Sequence, residues 1–369
     1  MVNKRMKYKI AVIGAKGFPG VGGAAKSNEQ IFVRLVNSFD VTVYALETYS
    51  HDQNYKGIHQ INFKKYSSKK MTNFIYYLKS ALHALFLSKY DLIHLNHHIS
   101  GFIVPILRIK YKVVFNIHGL PYDKDDKYNY VERQLNTLFF KIGLRLSNRV
   151  ISVDKSSIQK LIKYTRFNVI YIPNGVENNF KLIHNYDCKI KYDITFAAAR
   201  IISLKGLHIL LEALYNICFR CRIQVIGDIE QVENYKLKVK ALANKLNVHF
   251  KGILKDRAFL FQCIAQSKLF VFPSFSEGMS NMLLEVASLK VPIIASDIQQ
   301  NRDIFGERDV LFFKVGNPSD LALKIKWSLV NYSEMIAKAE NAYQKVLREH
   351  NWDDICERYK EIYENIVIK

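Results

Sequence analysis

Short apolar runs alternate with longer amphipathic stretches from one end of the chain to the other, the rhythm of β-α-β units that build parallel sheets. In the first half the pattern predicts strands at Lys9–Ile13, Val41–Ala45, Leu92–Leu95, Val113–Asn116 and Arg149–Val153. Helical periodicity marks Ser27–Val36, Met71–Ser88 and Asn129–Ser147 between them. The second half repeats the scheme, with strands at Ile194–Ala198, Arg222–Ile226, Val248–Lys251, Leu269–Phe272 and Pro292–Ser296. Its helices are predicted at Gly206–Ile217, Tyr235–Leu246 and Asn281–Ser288. Pro173-Asn174-Gly175 and the aperiodic polar stretch after it read as a linker. After Pro318 the chain is mostly helical, and Trp352, Ile355, Tyr359, Ile362 and Ile366 fall on one face of a last helix that needs a surface to cover.

Composition adds limits. With 369 residues, 49% hydrophobic and 13% aromatic, the chain is able to bury a large core and is not disordered; its length favours two domains. No apolar stretch approaches the roughly 18 residues of a membrane span, and no leader core is read at the N-terminus, so a cytoplasmic protein is expected. Cys188, Cys218, Cys221, Cys263 and Cys356 are scattered, and neither a disulfide framework nor a structural zinc is expected. The net charge of +21 is uneven: residues 1–183 hold 28 Lys+Arg against 11 Asp+Glu, and residues 184–369 hold 26 against 22. A field of that sign draws polyanions: nucleic acid, an anionic leaflet or a phosphate-bearing substrate.

Three loops carry candidate chemistry. The first, Gly14 to Gly23 with Gly17, Gly20 and Gly22, follows the first strand and opens a helix, where backbone amides suit a phosphate. Its G-x-x-G-x-x-G spacing is not the dinucleotide fingerprint, and Asp40 precedes the second strand instead of following it. The other reading is a plain turn. The second and strongest is Pro273-Ser-Phe-Ser-Glu277-Gly278-Met279-Ser280-Asn281 with Glu285 eight residues after Glu277, a strand-loop-helix unit. Two carboxylates flanking helix-start amides suit a ligand with hydroxyls at both ends and phosphate between. A lone E-x7-E would more simply be a solvated pair. The third is Arg200 and Lys205 ahead of Gly206, two cations at one loop, as a diphosphate leaving group requires; taken singly, each would be a surface charge.

Taken in order, Ile172-Pro-Asn-Gly-Val176, the Arg200/Lys205-Gly206 loop, Ile226-Gly227-Asp228, Phe250-Lys-Gly252 and the string from Glu277 to Asp297 resemble the donor-binding domain of glycosyltransferase family 4. The glycine loop and Asn116-Ile117-His118-Gly119-Leu120 resemble the family's acceptor-side domain more weakly. The resemblance implies an α/β GT-B fold: two Rossmann-like parallel-sheet domains facing a central cleft, with a C-terminal helix crossing back to the first. The implied boundaries are 1–173 for the acceptor-binding domain, 174–193 for the linker, 194–350 for the nucleotide-sugar donor domain and 351–369 for the last helix. It implies that Arg200 and Lys205 hold the donor diphosphate, Glu285 the ribose, and Glu277 the transferred sugar. Gly278, Met279, Ser280 and Asn281 would touch sugar and phosphate, Lys251, Gly252 and Leu254 would sit beside the base, and His118 would approach the sugar from the first domain. Gly17, Gly20 and Gly22 would line the donor site. One departure stands out: Glu285-Val-Ala-Ser-Leu-Lys290 ends in lysine where the family usually has glycine.

The implied activity is a retaining, metal-independent hexosyltransferase with no cofactor beyond a UDP- or GDP-sugar co-substrate; the chain has no D-x-D motif. His94, His97 and His98 close an apolar strand and are not read as a metal site. Lys64, Lys65, Lys69 and Lys70 ahead of Phe74 make a basic, aromatic, amphipathic segment suited to a membrane interface, although a core-facing helix with a solvated rim fits equally. Expected partners are a nucleotide sugar, a polyprenyl-diphosphate-linked glycan acceptor of O-antigen, capsule or exopolysaccharide assembly, and the anionic inner face of the membrane, with no nucleic acid. The competing readings are a sugar-nucleotide epimerase, a soluble glycan synthase and a basic nucleic-acid-binding protein.

Overall fold

The structure is a computed structural model that describes residues 7–20, 22–50, 52–66, 69–121, 129–178, 189–217 and 221–368. Cys188, Cys218 and half of the predicted linker, residues 179–188, lie outside them, as do the side chains of Lys69 and Lys70. The chain divides into two compact units, residues 1–174 with 352–369, and residues 175–351.

The first unit is built on strands β1 (Tyr8–Lys16), β2 (Phe39–Leu46), β3 (Asn54–Tyr55), β4 (Ile58–Phe63), β5 (Leu92–Asn96), β6 (Lys112–Ile117), β7 (Arg149–Ser152) and β8 (Ile170–Tyr171). They lie in the order β3-β4-β2-β1-β5-β6-β7-β8, all parallel except the β3-β4 pair. Strand β2 begins at Phe39, so Asp40 lies inside it and not before it, a small correction to the predicted boundary. Both faces are covered, as the apolar strand centres require. On one side Tyr76, Tyr77 and Ala81 of the helix Lys69–Leu87 pack on Ile13, Ile93 and Val113. On the other, Trp352, Ile355, Tyr359, Tyr363 and Ile366 of the C-terminal helix Trp352–Val367 pack on Ile10, Val12, Leu92 and Val114 together with Phe32. The 3.6-residue periodicity of that last helix thus finds its partner in the sheet of the first unit.

The second unit holds β9 (Tyr192–Arg200), β10 (Arg222–Asp228), β11 (Asn247–Gly252), β12 (Ser267–Phe272), β13 (Ile293–Ser296) and β14 (Leu311–Phe313) in the order β11-β10-β9-β12-β13-β14, all parallel. Each sheet has one point where the winding reverses, between β1 and β5 in the first and between β9 and β12 in the second. In open α/β sheets the carboxyl ends of the two strands flanking such a point form a ready crevice. The glycine loop, the Arg200/Lys205 loop and the Glu277 loop each leave one of these four strands, His118 follows β6, next to β5, and only the Lys251–Leu254 segment leaves an outer strand, β11.

Candidate functional site

In the second unit the chain leaves β9 through the short turn Ser203–Lys205 into the helix Leu207–Asn216, and leaves β12 through Pro273–Ser280 into the helix Asn281–Ala287. The two loops are tied together: the Phe275 amide donates to the Leu204 carbonyl at 2.9 Å. Gly206, at φ 72°, is pressed so closely on Pro273 that a Cβ would stand 2.0 Å from its carbonyl oxygen. Only glycine satisfies both the left-handed backbone and that approach. The consequence is a bidentate ion pair, with Lys205 Nζ at 2.6 and 2.8 Å from the two Glu277 carboxylate oxygens. Glu277 is 9% exposed. Arg200, at the end of the same strand, is exposed, and its guanidinium makes no hydrogen bond or ion pair among the described residues. Of the two predicted cations, one is therefore engaged with a carboxylate and one is free.

The rest of the Glu277 loop is braced from below. Ser296 Oγ donates to the Ser274 carbonyl at 2.6 Å, and Asn301 Nδ2 donates to the Ser296 carbonyl at 2.9 Å. Ser280 caps the following helix by accepting from the Leu283 amide at 3.3 Å, so that amide is occupied. Gly278 and Asn281 are half-buried and Met279 buried. Glu285 is nearly buried and ion-paired with Arg257, whose guanidinium lies 4.5 Å over the Phe261 ring. Arg257 begins a helix, Arg257–Ala265, that the periodicity did not reveal. Lys251 and Gly252 are exposed at the end of β11, with Gly252 at φ 66° and open space around it, and Leu254 is half-buried. His208, also unanticipated, stacks on Phe275 at 5.8 Å and bonds the Tyr235 hydroxyl through Nδ1 at 3.0 Å; burial lowers its pKa. At Lys290 the turn closes without glycine: the lysine adopts φ 59°, and its ammonium reaches Glu340 at 2.9 Å and the Tyr343 ring at 4.3 Å. Those contacts offset a left-handed conformation that costs about 1–2 kcal/mol in a non-glycine residue.

In the first unit the glycine loop is held from inside. Gly17 and Gly22 take φ values of 121° and 92°. The Gly20 amide donates to Glu29 Oε2 at 2.8 Å, and the Phe18 amide to Gln60 Oε1 at 2.7 Å, so neither amide is open to a phosphate. Burial pushes the Glu29 carboxyl up, but the Gly20 amide, the Lys26 ammonium and the Tyr55 hydroxyl outweigh it and hold the group below the usual carboxylate range. Next to the loop, a Cβ on Gly14 would stand 2.4 Å from the Asn96 carbonyl oxygen.

Asn96, the last residue of β5, pairs in register with Asn116, the next to last of β6, and His118 follows two residues after Asn116. His118 Nε2 lies 3.2 Å from each of Asn28 Nδ2, Asn116 Nδ2 and Asn96 Oδ1, and Nδ1 is a buried atom without a partner among the described residues. Burial lowers its pKa to about 4, so the imidazole is neutral at physiological pH. His94, fully buried, is lowered to about 3 by burial and bonds Asn96 Oδ1 at 3.2 Å and the Tyr363 hydroxyl at 2.7 Å. His97 and His98 stack on each other at 4.4 Å. Asn28 and Asn96 were missed in the sequence, and Asn116 was read only as part of the string around His118, although a polar residue near the end of each of two apolar strands was there to be seen.

Lys64 and Lys65 are exposed, and Phe74 is 47% exposed while stacked on Phe102 at 4.9 Å. Met71, Leu82, Phe86 and Leu87 of the same helix also face solvent. Among the described residues no helix is long and apolar enough to cross a membrane.

Comparison with known proteins gives the family and the fold. Residues 21–180 match the family described as Glycosyltransferase Family 4, and residues 192–331 match Glycosyl transferases group 1. The chain is 25% identical over 275 residues to an O-antigen biosynthesis glycosyltransferase, WclY, of Escherichia coli, covering 66% of this chain and 75% of the relative. It is 24% identical over 276 residues, 70% and 71% of the two chains, to the N,N'-diacetylbacillosaminyl-diphospho-undecaprenol alpha-1,3-N-acetylgalactosaminyltransferase of Campylobacter jejuni. Among solved structures, sucrose-phosphate synthase from Thermosynechococcus elongatus superposes with a TM-score of 0.84 at 18% identity, over 98% of this chain and 99% of that one. HepE of Anabaena, solved in complex with UDP-glucose, does so with a TM-score of 0.77 at 16% identity, over 97% and 100%. With both units matched in sequence and the fold matched over nearly its whole length, the chain belongs to glycosyltransferase family 4 and has the GT-B fold.

Proposed function

We propose that the protein is a retaining hexosyltransferase that moves a sugar from a UDP- or GDP-sugar to a polyprenyl-diphosphate-linked glycan, in the assembly of a bacterial surface polysaccharide. The observation that carries the reading is the pair of loops at the β9/β12 switch point, where Arg200, without a side-chain partner among the described residues, closes β9 and the Lys205–Glu277 ion pair joins the loops that leave β9 and β12. A nucleoside diphosphate brings two negative charges to Arg200 and Lys205, and Lys205 then divides its hydrogens between Glu277 and the diphosphate. Glu277, with an oxygen thereby freed to accept, faces a hydroxyl of the sugar. Glu285, ion-paired with Arg257, accepts from the ribose hydroxyls. Gly278, Met279, Ser280 and Asn281 line the sugar and phosphate, and Lys251, Gly252 and Leu254 the base. Gly17, Gly20 and Gly22 are assigned to donor contact as well, with the Gly20 amide already taken by Glu29.

In the reaction the bond from the anomeric carbon to the diphosphate oxygen breaks, and the acceptor hydroxyl bonds the same face of that carbon. The proton of the hydroxyl passes to the departing diphosphate oxygen, so neither an enzyme nucleophile nor a separate base is needed. Charge grows on the diphosphate as the bond breaks, and Arg200 and Lys205 stabilise that charge, the role a divalent ion fills elsewhere. His118, neutral by virtue of its burial, hydrogen-bonds the sugar as an imidazole and not as a cation. The undecaprenol-linked acceptor in the name of the Campylobacter relative supports a lipid-linked acceptor. The exposed Lys64, Lys65, Phe74 and Phe86, with Lys69 and Lys70 in the same segment, support contact with the anionic inner face of the membrane.

The test is transfer of label from a panel of UDP- and GDP-hexoses to a synthetic polyprenyl-diphosphate-linked sugar. Label appearing in the lipid product with unchanged anomeric configuration is expected. Turnover of the nucleotide sugar with equal speed whether or not acceptor is present would contradict the proposal.

A further inference from the structure

We infer that Arg257 is a positioning residue for Glu285: its guanidinium, held against the face of Phe261, fixes the Glu285 carboxylate as the acceptor for the ribose hydroxyls and so sets a preference for a ribonucleotide over its 2′-deoxy counterpart. The inference rests on the proposed placing of the ribose on Glu285.

The two residues reach each other from different parts of the second unit. The short segment Ile253–Asp256 carries the chain from the end of β11 into the helix Arg257–Ala265, whose first residue is Arg257. A helix that follows a parallel strand starts at the carboxyl edge of the sheet, the edge from which the Glu277 loop and the helix Asn281–Ala287 also start. Arg257 therefore meets Glu285 along the edge that carries the proposed donor site.

Arg257 is fixed by contacts that do not involve Glu285. Asp256 caps its helix, accepting from the amides of Ala258 at 2.9 Å and Phe259 at 3.2 Å, and so sets the backbone of the first turn. One turn on, Phe261 is buried in the core, and its ring lies under the guanidinium at 4.5 Å. A planar cation resting on a buried aromatic face has lost much of its rotamer freedom before it forms any hydrogen bond. Glu285 has three rotatable bonds and a side chain only 13% exposed, so its charge requires a partner. Arg257 supplies one through Nη2, which donates to Oε1. The Arg257 side chain stays 40% exposed, and its other N–H groups have no partner among the described residues, so the pair borders solvent.

A carboxylate oxygen accepts more than one hydrogen bond, and with Oε1 held by Arg257 the remaining lone pairs point in set directions. Hydroxyls that meet a carboxylate already in place bear no cost for ordering it. Without the guanidinium the carboxylate turns toward water, and the ribose must order it again. A lysine restores the charge but neither the flat contact with Phe261 nor the fork, so charge and position can be separated.

The test is titration calorimetry on the full-length protein with UDP, GDP and their 2′-deoxy counterparts. Wild type should bind the ribonucleotide about ten- to a hundredfold more tightly than the deoxynucleotide, the worth of one hydrogen bond to a charged group. In Arg257→Gln the ratio should fall to within about threefold, and in Arg257→Lys to a value between the two. Phe261→Leu, which keeps both charges and removes the aromatic face, should lower the ratio as well. A general loosening of the unit weakens all four nucleotides alike and leaves the ratio where it was. A ratio unmoved in Arg257→Gln and Arg257→Lys would overturn the inference, and so would a loss confined to the choice between UDP and GDP, which would make Arg257 a contact of the base. Should Arg257→Gln not fold, Arg257→Lys and Phe261→Leu decide between these results. Wild-type protein that binds none of the four would remove the proposed donor site and this inference with it, whereas tight binding with an unmoved ratio removes the inference alone.

Discussion

Lys205→Met isolates the ion pair at the centre of the site. At 2.6 Å and an effective dielectric of about 20, the attraction between Lys205 and Glu277 is about 6 kcal/mol, a large part of it offset by desolvation of the two groups. Breaking a buried pair from one side costs about 3–5 kcal/mol, and since a quarter of the Lys205 side chain is exposed we take the lower end, about 3 kcal/mol. In a unit of this size each kcal/mol moves Tm by about 2–4 °C, so a fall of about 6–12 °C is expected without ligand. Glu277→Gln should cost less, because the ammonium it strands is more open to water. The double variant should recover at least about 2 kcal/mol relative to the sum of the singles, because it strands no charge. Each single change should also lower transfer by about a hundred- to a thousandfold, through the lost stabilisation of the departing diphosphate or the lost sugar contact. Calorimetry on the four proteins and initial-rate assays decide the matter. Single variants that melt within 1 °C of wild type and add independently, or that transfer at the wild-type rate, would refute the reasoning.

Other expectations follow from the same geometry. His94 and His118 are lowered by burial to about 3 and about 4 against about 6.5 when unfolded, so the unfolded chain gains protons first as pH falls. Stability should drop below pH 6.5 by up to about 1.4 kcal/mol per pH unit for each histidine; a Tm flat from pH 7 to 5 would contradict their burial as neutral rings. If Arg200 and Lys205 carry the diphosphate charge as proposed, EDTA should leave transfer intact; activity lost to EDTA and restored by Mg2+ would show otherwise. Replacing Lys64, Lys65, Lys69 and Lys70 by Gln should weaken sedimentation with anionic liposomes, by about 1 kcal/mol per residue at the surface, and unchanged binding would move the membrane face elsewhere.

Much of this was legible in the sequence because parallel sheets advertise themselves. Buried strands such as Ile10–Ile13 and Phe270–Phe272 read as apolar runs, and the helices between them carry a 3.6-residue stripe. The Arg200/Lys205 and Glu277/Glu285 loops could be found because both follow such strands. What the sequence concealed depends on partners far away in the chain. Lys205 looked like a second free cation until the fold set Glu277 against it across 72 residues. Strand β4 was missed because Gln60 sits in its middle, fully buried, where it holds Phe18 and Ser50 of two other loops. The helix Arg257–Ala265 has apolar residues on most sides, so it shows no stripe, and with it Arg257, the partner of Glu285, went unnoticed. Tyr359 was legible as a core position while Tyr363 was passed over for Ile362, and the hydroxyls of both tyrosines find partners only when the last helix lies over His94 and Asn116.

The most direct test of the central claim is binding of nucleoside diphosphates and their sugars to the purified protein, read as a thermal shift at low and high salt. The account predicts stabilisation by UDP or GDP species that survives high salt and is lost in Glu285→Ala. No shift with any nucleotide, beside strong salt-sensitive binding of DNA, would contradict it.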